Sequence, residues 1–275
     1  MIESSHLKLP RILPFVKATA CGNDFLLVDA SELSGSQAAP DFPGLTRCLC
    51  DRHEGVGADG VEWMSAHASA DVAVRLFNVD GSEAEISGNG TRCVAAYVCE
   101  QRDKEKVTVL TAAGLKGCTL TARREGEYEF ETQMGAAQLE GEIAVKTAGG
   151  EVRGIPVSLG NPHFVVFVSQ FPLNWQERAA EIQGNHRFKR GVNVEMVIVD
   201  NKYDVSVRFF ERGVGETRSS GTGSCASAVA AIAAGKAESP VRVHAPGGTQ
   251  IVRVEGEQVF LRGAARLVCR GEFFL

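Results

Sequence analysis

The chain has 275 residues, 44% hydrophobic and 23% charged, which suits one large or two moderate globular units with a sizeable core. Its formal net charge of −5 comes without a long basic run and argues against a nucleic-acid or acidic-membrane partner. No apolar stretch of about 18 residues is present, so no membrane span is expected; the start MIESSHLKLPRILPF lacks the apolar core and cleavage site of a signal peptide, so a cytoplasmic protein is expected.

In chain order, β-branched and alternating runs predict strands over 13–19 and 25–28, a helix over 42–52, a strand over 72–77, a helix over 90–101 and strands over 106–111, 116–121 and 127–131. The pattern resumes with strands over 154–158 and 164–168, a helix over 175–182, strands over 192–199 and 205–210, and a helix over 223–234. That last helix is almost all Ala, Val, Ser and Ile, which predicts burial on every side. Short runs at 250–254 and 259–261 follow, broken by glycines in the manner of hairpins. The eight cysteines are expected to be reduced and mostly buried, and the Cys48-Leu49-Cys50 spacing, with no histidine cluster, predicts no metal site.

Three blocks of the first half recur in the second, in the same order. Gly22-Asn23-Asp24-Phe25 matches Gly160-Asn161-Pro162-His163, and both lead into apolar runs. Gly55-Val56-Gly57 before Val61-Glu62-Trp63-Met64 matches Gly191-Val192-Asn193 before Val194-Glu195-Met196-Val197. The run from Phe77 to Cys93 matches that from Phe210 to Cys225, with Ser87 and Ser220, Gly88 and Gly221, and Gly90 and Gly223 each 133 positions apart. Two copies are too few for a solenoid. They predict an α+β architecture of two similar halves facing one cleft, each a sheet wrapped about an apolar helix.

Within the third block, Ser87-Gly88-Asn89-Gly90 and Ser220-Gly221-Thr222-Gly223 both follow a strand and a loop and open a helix. The unpaired amides and the dipole of a helix start suit a carboxylate, and two such ends can hold one carboxylate between them. Serine is equally a good N-cap, which is the plainer reading of either turn alone. No Gly-Lys-Ser/Thr follows and the glycine spacing is wrong for a dinucleotide fingerprint, so no nucleotide is expected.

The segments Ala20-Cys21-Gly22-Asn23-Asp24-Phe25, Arg52 to Asp59, Phe77 to Glu83, Gly88-Asn89-Gly90-Thr91-Arg92-Cys93, Gly160 to His163 and Glu211-Arg212-Gly213-Val214-Gly215-Glu216-Thr217 resemble the signature blocks of the diaminopimelate epimerase family, in order and over nearly the whole chain. The resemblance implies two pseudo-symmetric halves, each a curved, mostly antiparallel sheet around a central helix: residues 1–124, completed by 265–275, and residues 125–264. It implies epimerisation of LL-diaminopimelate to the meso form with no cofactor, on the path to lysine and peptidoglycan. The implied partner is a small zwitterionic amino acid, and the implied assembly is a homodimer. Ser87 and Ser220 fall at the two acid–base positions. Asn23, Asn78, Asn161, Asn193, Glu211 and Arg212 fall at substrate-binding positions, with the amides of Gly88, Asn89, Gly221 and Thr222 on the reacting carboxylate.

The family carries cysteine at both serine positions, and some members carry glutamine at Gly60. Cys93 and Cys225 lie too far into the helices to substitute. Neither serine has a histidine or lysine beside it in sequence, and an unassisted hydroxyl is a far weaker base than a thiolate, so slow turnover is expected. Three explanations stand: serines introduced in place of cysteines, native serines in a lineage that keeps the chemistry, or a changed reaction. The competing functions are another isomerase of the same fold, either a racemase of another amino acid or a phenazine-biosynthesis-like isomerase that needs no cysteine pair, and an amino-acid-binding protein without catalysis. Glu211 with Arg212 favours a substrate with a second zwitterionic end, although the two can also form a plain surface ion pair.

Overall fold

The computed structural model describes residues 12–33 and 39–275. Residues 1–11, which hold most of the segment read above for a leader, lie outside them. In the N half, β1 (Ile12–Ala20) turns through Cys21 and Gly22 into the antiparallel β2 (Asn23–Asp29). A 3-10 turn (Ala30–Leu33) and α1 (Phe42–Cys50) lead to β3 (Gly60–Ser65), parallel to β2. β4 (Val72–Asn78) runs back along β3, and the two-residue β5 (Glu83–Ala84) delivers the chain to α2 (Gly88–Arg102). β6 (Lys106–Thr111) pairs parallel to β4, and β7 (Gly114–Arg124) and β8 (Glu127–Ala136) follow antiparallel.

After β9 (Gln138–Leu139) and β10 (Ile143–Thr147) the plan repeats. β11 (Gly150–Ser158) and β12 (Pro162–Phe167) are antiparallel, and α3 (Trp175–Gln183) crosses to β13 (Asn193–Asn201), parallel to β12. β14 (Asp204–Glu211), β15 (Gly215–Thr217), α4 (Gly221–Ala233) and β16 (Val241–Ala245) repeat the earlier order, with β16 parallel to β14. β17 (Gly248–Glu255) and β18 (Gln258–Phe274) complete the chain. The parallel and antiparallel pairings recur in the same order, so the repeat read in the sequence is a repeat of topology.

β18 joins the halves. Its start pairs with β17, residues 258–266 pair with β8, and residues 266–274 pair with β1, which closes the N-half sheet into a barrel. On the other side β11 pairs with β9, the short strand after β8. α2 fills the first barrel: Cys93, Val94, Ala95, Ala96 and Val98 pack among Ala18, Leu27, Val74, Val109 and Phe130. α4 fills the second, where Cys225, Ala226, Ala228, Val229 and Ala230 pack among Val165, Val207, Phe209, Val243 and Leu261. Small side chains dominate both helices because a surrounding sheet leaves little radius. α1 and α3 cover the outside over Trp63 and Phe77, and over Phe164 and Met196.

Two expectations need correction. α2 and α4 begin at Gly88 and Gly221, two residues before the predicted starts, because the serines themselves are the caps. β3, β10 and β16, and the two- or three-residue β5, β9 and β15, are absent from the predicted elements; β3 is buried on both faces and shows no alternation. The C-terminal runs form the expected hairpin, β17 and β18 turning at Gly256, and β18 then continues to a length of 17 residues. Gly263 and Gly271 stay in the strand and leave room for side chains packed across it. A Cβ at Gly263 would lie 3.1 Å from Arg92 Cζ, and one at Gly271 2.6 Å from Phe15 Cζ.

Candidate active site

The two Ser-Gly-x-Gly turns meet at the junction of the halves. A Cβ built on Gly88 would lie 3.8 Å from Gly221 Cα, and one on Gly221 3.6 Å from Gly88 Cα. Two helix N-termini therefore abut, glycine to glycine. Ser87 and Ser220 have extended backbones, and each hydroxyl accepts the third amide of its helix, Gly90 N–H at 3.0 Å and Gly223 N–H at 3.2 Å. The carbonyls of Ser87 and Ser220 accept the fourth amides. The first two N–H groups of each helix, on Gly88 and Asn89 and on Gly221 and Thr222, have no partner within it. The N-cap reading of the serines is correct, and it leaves open the amides that suit a carboxylate.

Each turn is braced by the asparagine that opens the neighbouring strand. Asn89 Nδ2 donates to Asn23 Oδ1 at 2.7 Å, and Asn161 Nδ2 donates to Thr222 Oγ1 at 3.2 Å. Asn89 also reaches across the junction. Its Nδ2 donates to Ser219 Oγ at 3.0 Å, and its Oδ1 accepts from Arg92 Nη2 and from Gln250 Nε2. Gln250 Oε1 accepts the Ser224 hydroxyl at 2.8 Å. Nearby the backbones touch: a Cβ at Gly22 would fall 2.8 Å from Gly247 Cα, and one at Gly247 2.1 Å from the Cys21 carbonyl oxygen. Only glycine permits this approach, which sets the spacing of the halves beside the site.

Asn23 is held in turn by a charged cluster. Its Nδ2 donates to Asp59 Oδ2 at 3.1 Å, Arg52 bridges Asp24 and Asp59, and Lys17 Nζ lies 3.0 Å from Asp24. Burial works to raise the Asp24 carboxyl, but the hydrogen bonds from Arg52 and Lys17 outweigh it and hold the group below the usual range. In the C half, Asn193 Oδ1 accepts the Arg212 backbone N–H at 2.9 Å and its Nδ2 donates to the Pro162 carbonyl at 3.1 Å. Arg212 Nη1 donates to the Arg190 carbonyl at 3.0 Å. Among the described residues Glu211 and Arg212 form no ion pair with each other, the guanidinium going to the Arg190 carbonyl instead, so the surface-pair alternative does not hold there. Asn78 ends β4 opposite Gly60 and donates to Ser82 Oγ at 3.1 Å; no hydrogen bond joins it to the helix starts. A Cβ on Gly60 would lie 2.7 Å from the Phe77 carbonyl oxygen, so a side chain there requires a shift of β4.

Sequence reasoning missed a pair of buried carboxyls behind the turns. Glu62 on β3 and Glu195 on β13 are fully covered, and a Cβ on the last glycine of each turn would run into them, 1.9 Å from Glu62 Oε1 at Gly90 and 2.9 Å from Glu195 Oε1 at Gly223. The signal was in the repeat, since these glutamates are 133 positions apart, as the serines are. Glu195 Oε1 lies 2.7 Å from His163 Nδ1, and His163 Nε2 lies 3.1 Å from Asn161 Oδ1. With Nε2 donating to that carbonyl oxygen, the proton between Nδ1 and Oε1 belongs to one or the other of the pair. Burial pushes the Glu195 carboxyl up, and His163 offsets part of the rise. Glu62 has no such partner among the described residues, and burial pushes it up to about 8. Cys93 and Cys225 are buried in the helix cores; burial drives Cys93 far above the thiol range and Cys225 to about 12, so neither replaces a serine as base.

Two surface hollows, of about 390 and 470 Å³, lie elsewhere, along β1, the end of β18 and the C-terminal part of α2, and contain none of these residues. No helix of the described residues is long and apolar enough to cross a membrane.

Comparison with known proteins matches residues 15–140 and 155–268 to the family described as diaminopimelate epimerase. A diaminopimelate epimerase of Pelotomaculum thermopropionicum is 38% identical over 94% of this chain and 98% of its own. That of Methanothrix thermoacetophila is 37% identical over 94% and 95%. Among solved structures, a Bacillus anthracis phenazine biosynthesis protein of the PhzF family superposes with a TM-score of 0.73 at 19% identity, covering 96% of this chain and 99% of its own. A hydroxyproline epimerase from Agrobacterium vitis, with bound trans-4-hydroxy-L-proline, gives 0.71 at 16%, covering 97% and 92%. At that identity these two establish the fold alone.

Proposed function

This chain belongs to the diaminopimelate epimerase family, and from that premise we propose that it epimerises LL-diaminopimelate to the meso form, removing a proton from one face of an α-carbon and delivering one to the other. The observation that carries the reading is the abutment of two serine-capped helix starts at Gly88 and Gly221. The four open amides of Gly88, Asn89, Gly221 and Thr222 receive the reacting carboxylate, where helix-end charge and preorganised donors stabilise the carbanion as it forms. Ser87 and Ser220 stand on opposite faces of the α-carbon as proton carriers, in place of the family's thiols. No cofactor enters this reading.

The distal amino-acid end goes to Glu211 and Arg212, which take an ammonium and a carboxylate, with Asn23, Asn78, Asn161 and Asn193 lining the path between. Arg212 has no carboxylate partner among the described residues, which suits a guanidinium kept for a ligand. We assign the activity to the supply of meso-diaminopimelate for lysine and peptidoglycan synthesis, carried out in the cytoplasm by a homodimer.

Calorimetry tests the pocket. Both diaminopimelate isomers are expected to bind, alanine and glutamate are not, and Arg212→Ala is expected to weaken binding by roughly tenfold or more, the worth of a charge-assisted contact. Equal binding of alanine and diaminopimelate overturns the reading.

A further inference from the structure

The proposed chemistry leaves one side chain in the N half without a task. Glu62 sits in the middle of β3. Val61 and Trp63 point to the layer under α1, whereas Met64, on the same side of the strand as Glu62, packs into the core around α2. Glu62 is buried, no hydrogen bond or ion pair holds it among the described residues, and its Oε2 is sealed from solvent without a partner. An unpaired carboxyl at that depth is costly, and an apolar side chain would serve the packing better.

The position of the carboxyl gives it a use. A Cβ on Gly90 would lie 1.9 Å from Glu62 Oε1 and 3.3 Å from Ser87 Cβ. The room the glycine leaves is filled by the Glu62 carboxyl, with Ser87 Cβ at its edge. The Ser87 hydroxyl accepts Gly90 N–H and donates its own proton to nothing among the described residues. Its oxygen hangs from the carbon at the edge of that room. The C half repeats the arrangement with Glu195 behind Gly223 and Ser220, but there the carboxyl is engaged by His163. A buried acid in the same place behind both serines, left free in only one half, is not explained by packing.

We propose that Glu62 is the proton partner of Ser87, so that on the N-half face the α-proton leaves and arrives through a serine–carboxyl relay. The inference rests on the epimerase reading. When this face acts as base, Ser87 Oγ takes the α-proton while its own proton passes to the Glu62 carboxylate. The Cα–H bond and the serine O–H bond break, new O–H bonds form on Ser87 and on Glu62, and the electron pair left on the α-carbon delocalises into the carboxylate held by the amides. When this face acts as acid, the same protons move in reverse. Burial places the Glu62 carboxyl at about 8, so both of its states are accessible near neutral pH, as a reversible relay requires.

The test is α-proton exchange in D₂O, measured from LL- and from meso-diaminopimelate, on the full chain and on Glu62→Gln, Ser87→Cys and the double variant. Glu62→Gln is expected to slow exchange on the N-half face by roughly 100-fold or more while leaving calorimetric binding within about threefold. In the Ser87→Cys background a thiolate supplies its own base, and Glu62→Gln is expected to cost less than about threefold. Equal losses in both backgrounds, or a loss below about tenfold with serine present, overturn the relay and leave the epimerase reading standing. A parent chain that exchanges no α-proton of either isomer overturns the epimerase reading and the relay with it.

Discussion

The two halves place a glutamate at the same point behind the same turn, yet Glu195 is bound to His163 and Glu62 to nothing among the described residues. The shared position comes from the repeat: a strand running beneath the helix start, with its inward residue aimed at the last glycine of the turn. The difference comes from one side chain. At the first residues of the strands preceding these glutamates, the N half has Asp24-Phe25 where the C half has Pro162-His163. Phe25 is an apolar core residue at the matching position, whereas His163 gives Glu195 a proton partner that ends on Asn161. Duplication supplied two equivalent acids, and later divergence left their protons under different control.

The largest effects should fall on the serines and test whether the faces are separate. Ser87→Ala and Ser220→Ala are each expected to reduce epimerisation by roughly 10²- to 10⁴-fold. The losses of isotope exchange should be mirror images, one variant silent from LL-diaminopimelate and the other from the meso form. If both variants lose exchange from the same isomer, the two-face comparison fails.

Stability against pH separates the two acids next. The folded-state value for Glu62, about 8, lies above the ordinary 4.5. The folded chain therefore holds that proton more tightly than the unfolded one, so the stabilisation is complete below about 4.5 and is lost as pH rises through 8. Glu62→Gln mimics the protonated form. Urea midpoints of parent and variant should agree near pH 5, and the parent should fall behind by up to about 4 kcal/mol towards pH 8. Parallel curves at both pH values contradict a free carboxyl. His163→Leu probes the other half. It leaves Glu195 buried without its partner and is expected to cost about 3 kcal/mol at pH 7, where Glu62→Gln costs nothing.

Gly90→Ala and Gly223→Ala are expected to have smaller effects, about 1–3 kcal/mol each from overpacking. They should differ in rescue. Below 3.0 Å the Gly90 methyl meets only Glu62, so Glu62→Ala should recover most of the loss. The Gly223 methyl also meets Phe209 at 2.8 Å, so Glu195→Ala should recover less. Thermal melts of the four variants decide it.

The sequence made the duplication, the central helices and the two capped turns legible, because glycine and serine at matched spacing have few other uses. It concealed what depends on two elements crossing. Slow chemistry was expected because no base stands beside either serine in sequence. Glu62 is 25 positions from Ser87 and reaches it only because β3 runs beneath the start of α2. The network from Asn89 to Ser219 and Gln250 likewise spans both halves and has no local signature. The same limit explains the length of β18, whose continuation through Gly263 and Gly271 makes sense once Arg92 and Phe15 are seen packed over them.

The central claim is that protons leave and arrive on opposite faces. It is tested most directly by incubating LL-diaminopimelate with the chain in D₂O and analysing the α-position at low conversion. The account predicts meso product carrying deuterium at the inverted carbon while the remaining LL substrate is still protiated, since removal and delivery use different groups. Product that retains its original proton would mean that a single group returns it, and would contradict the account.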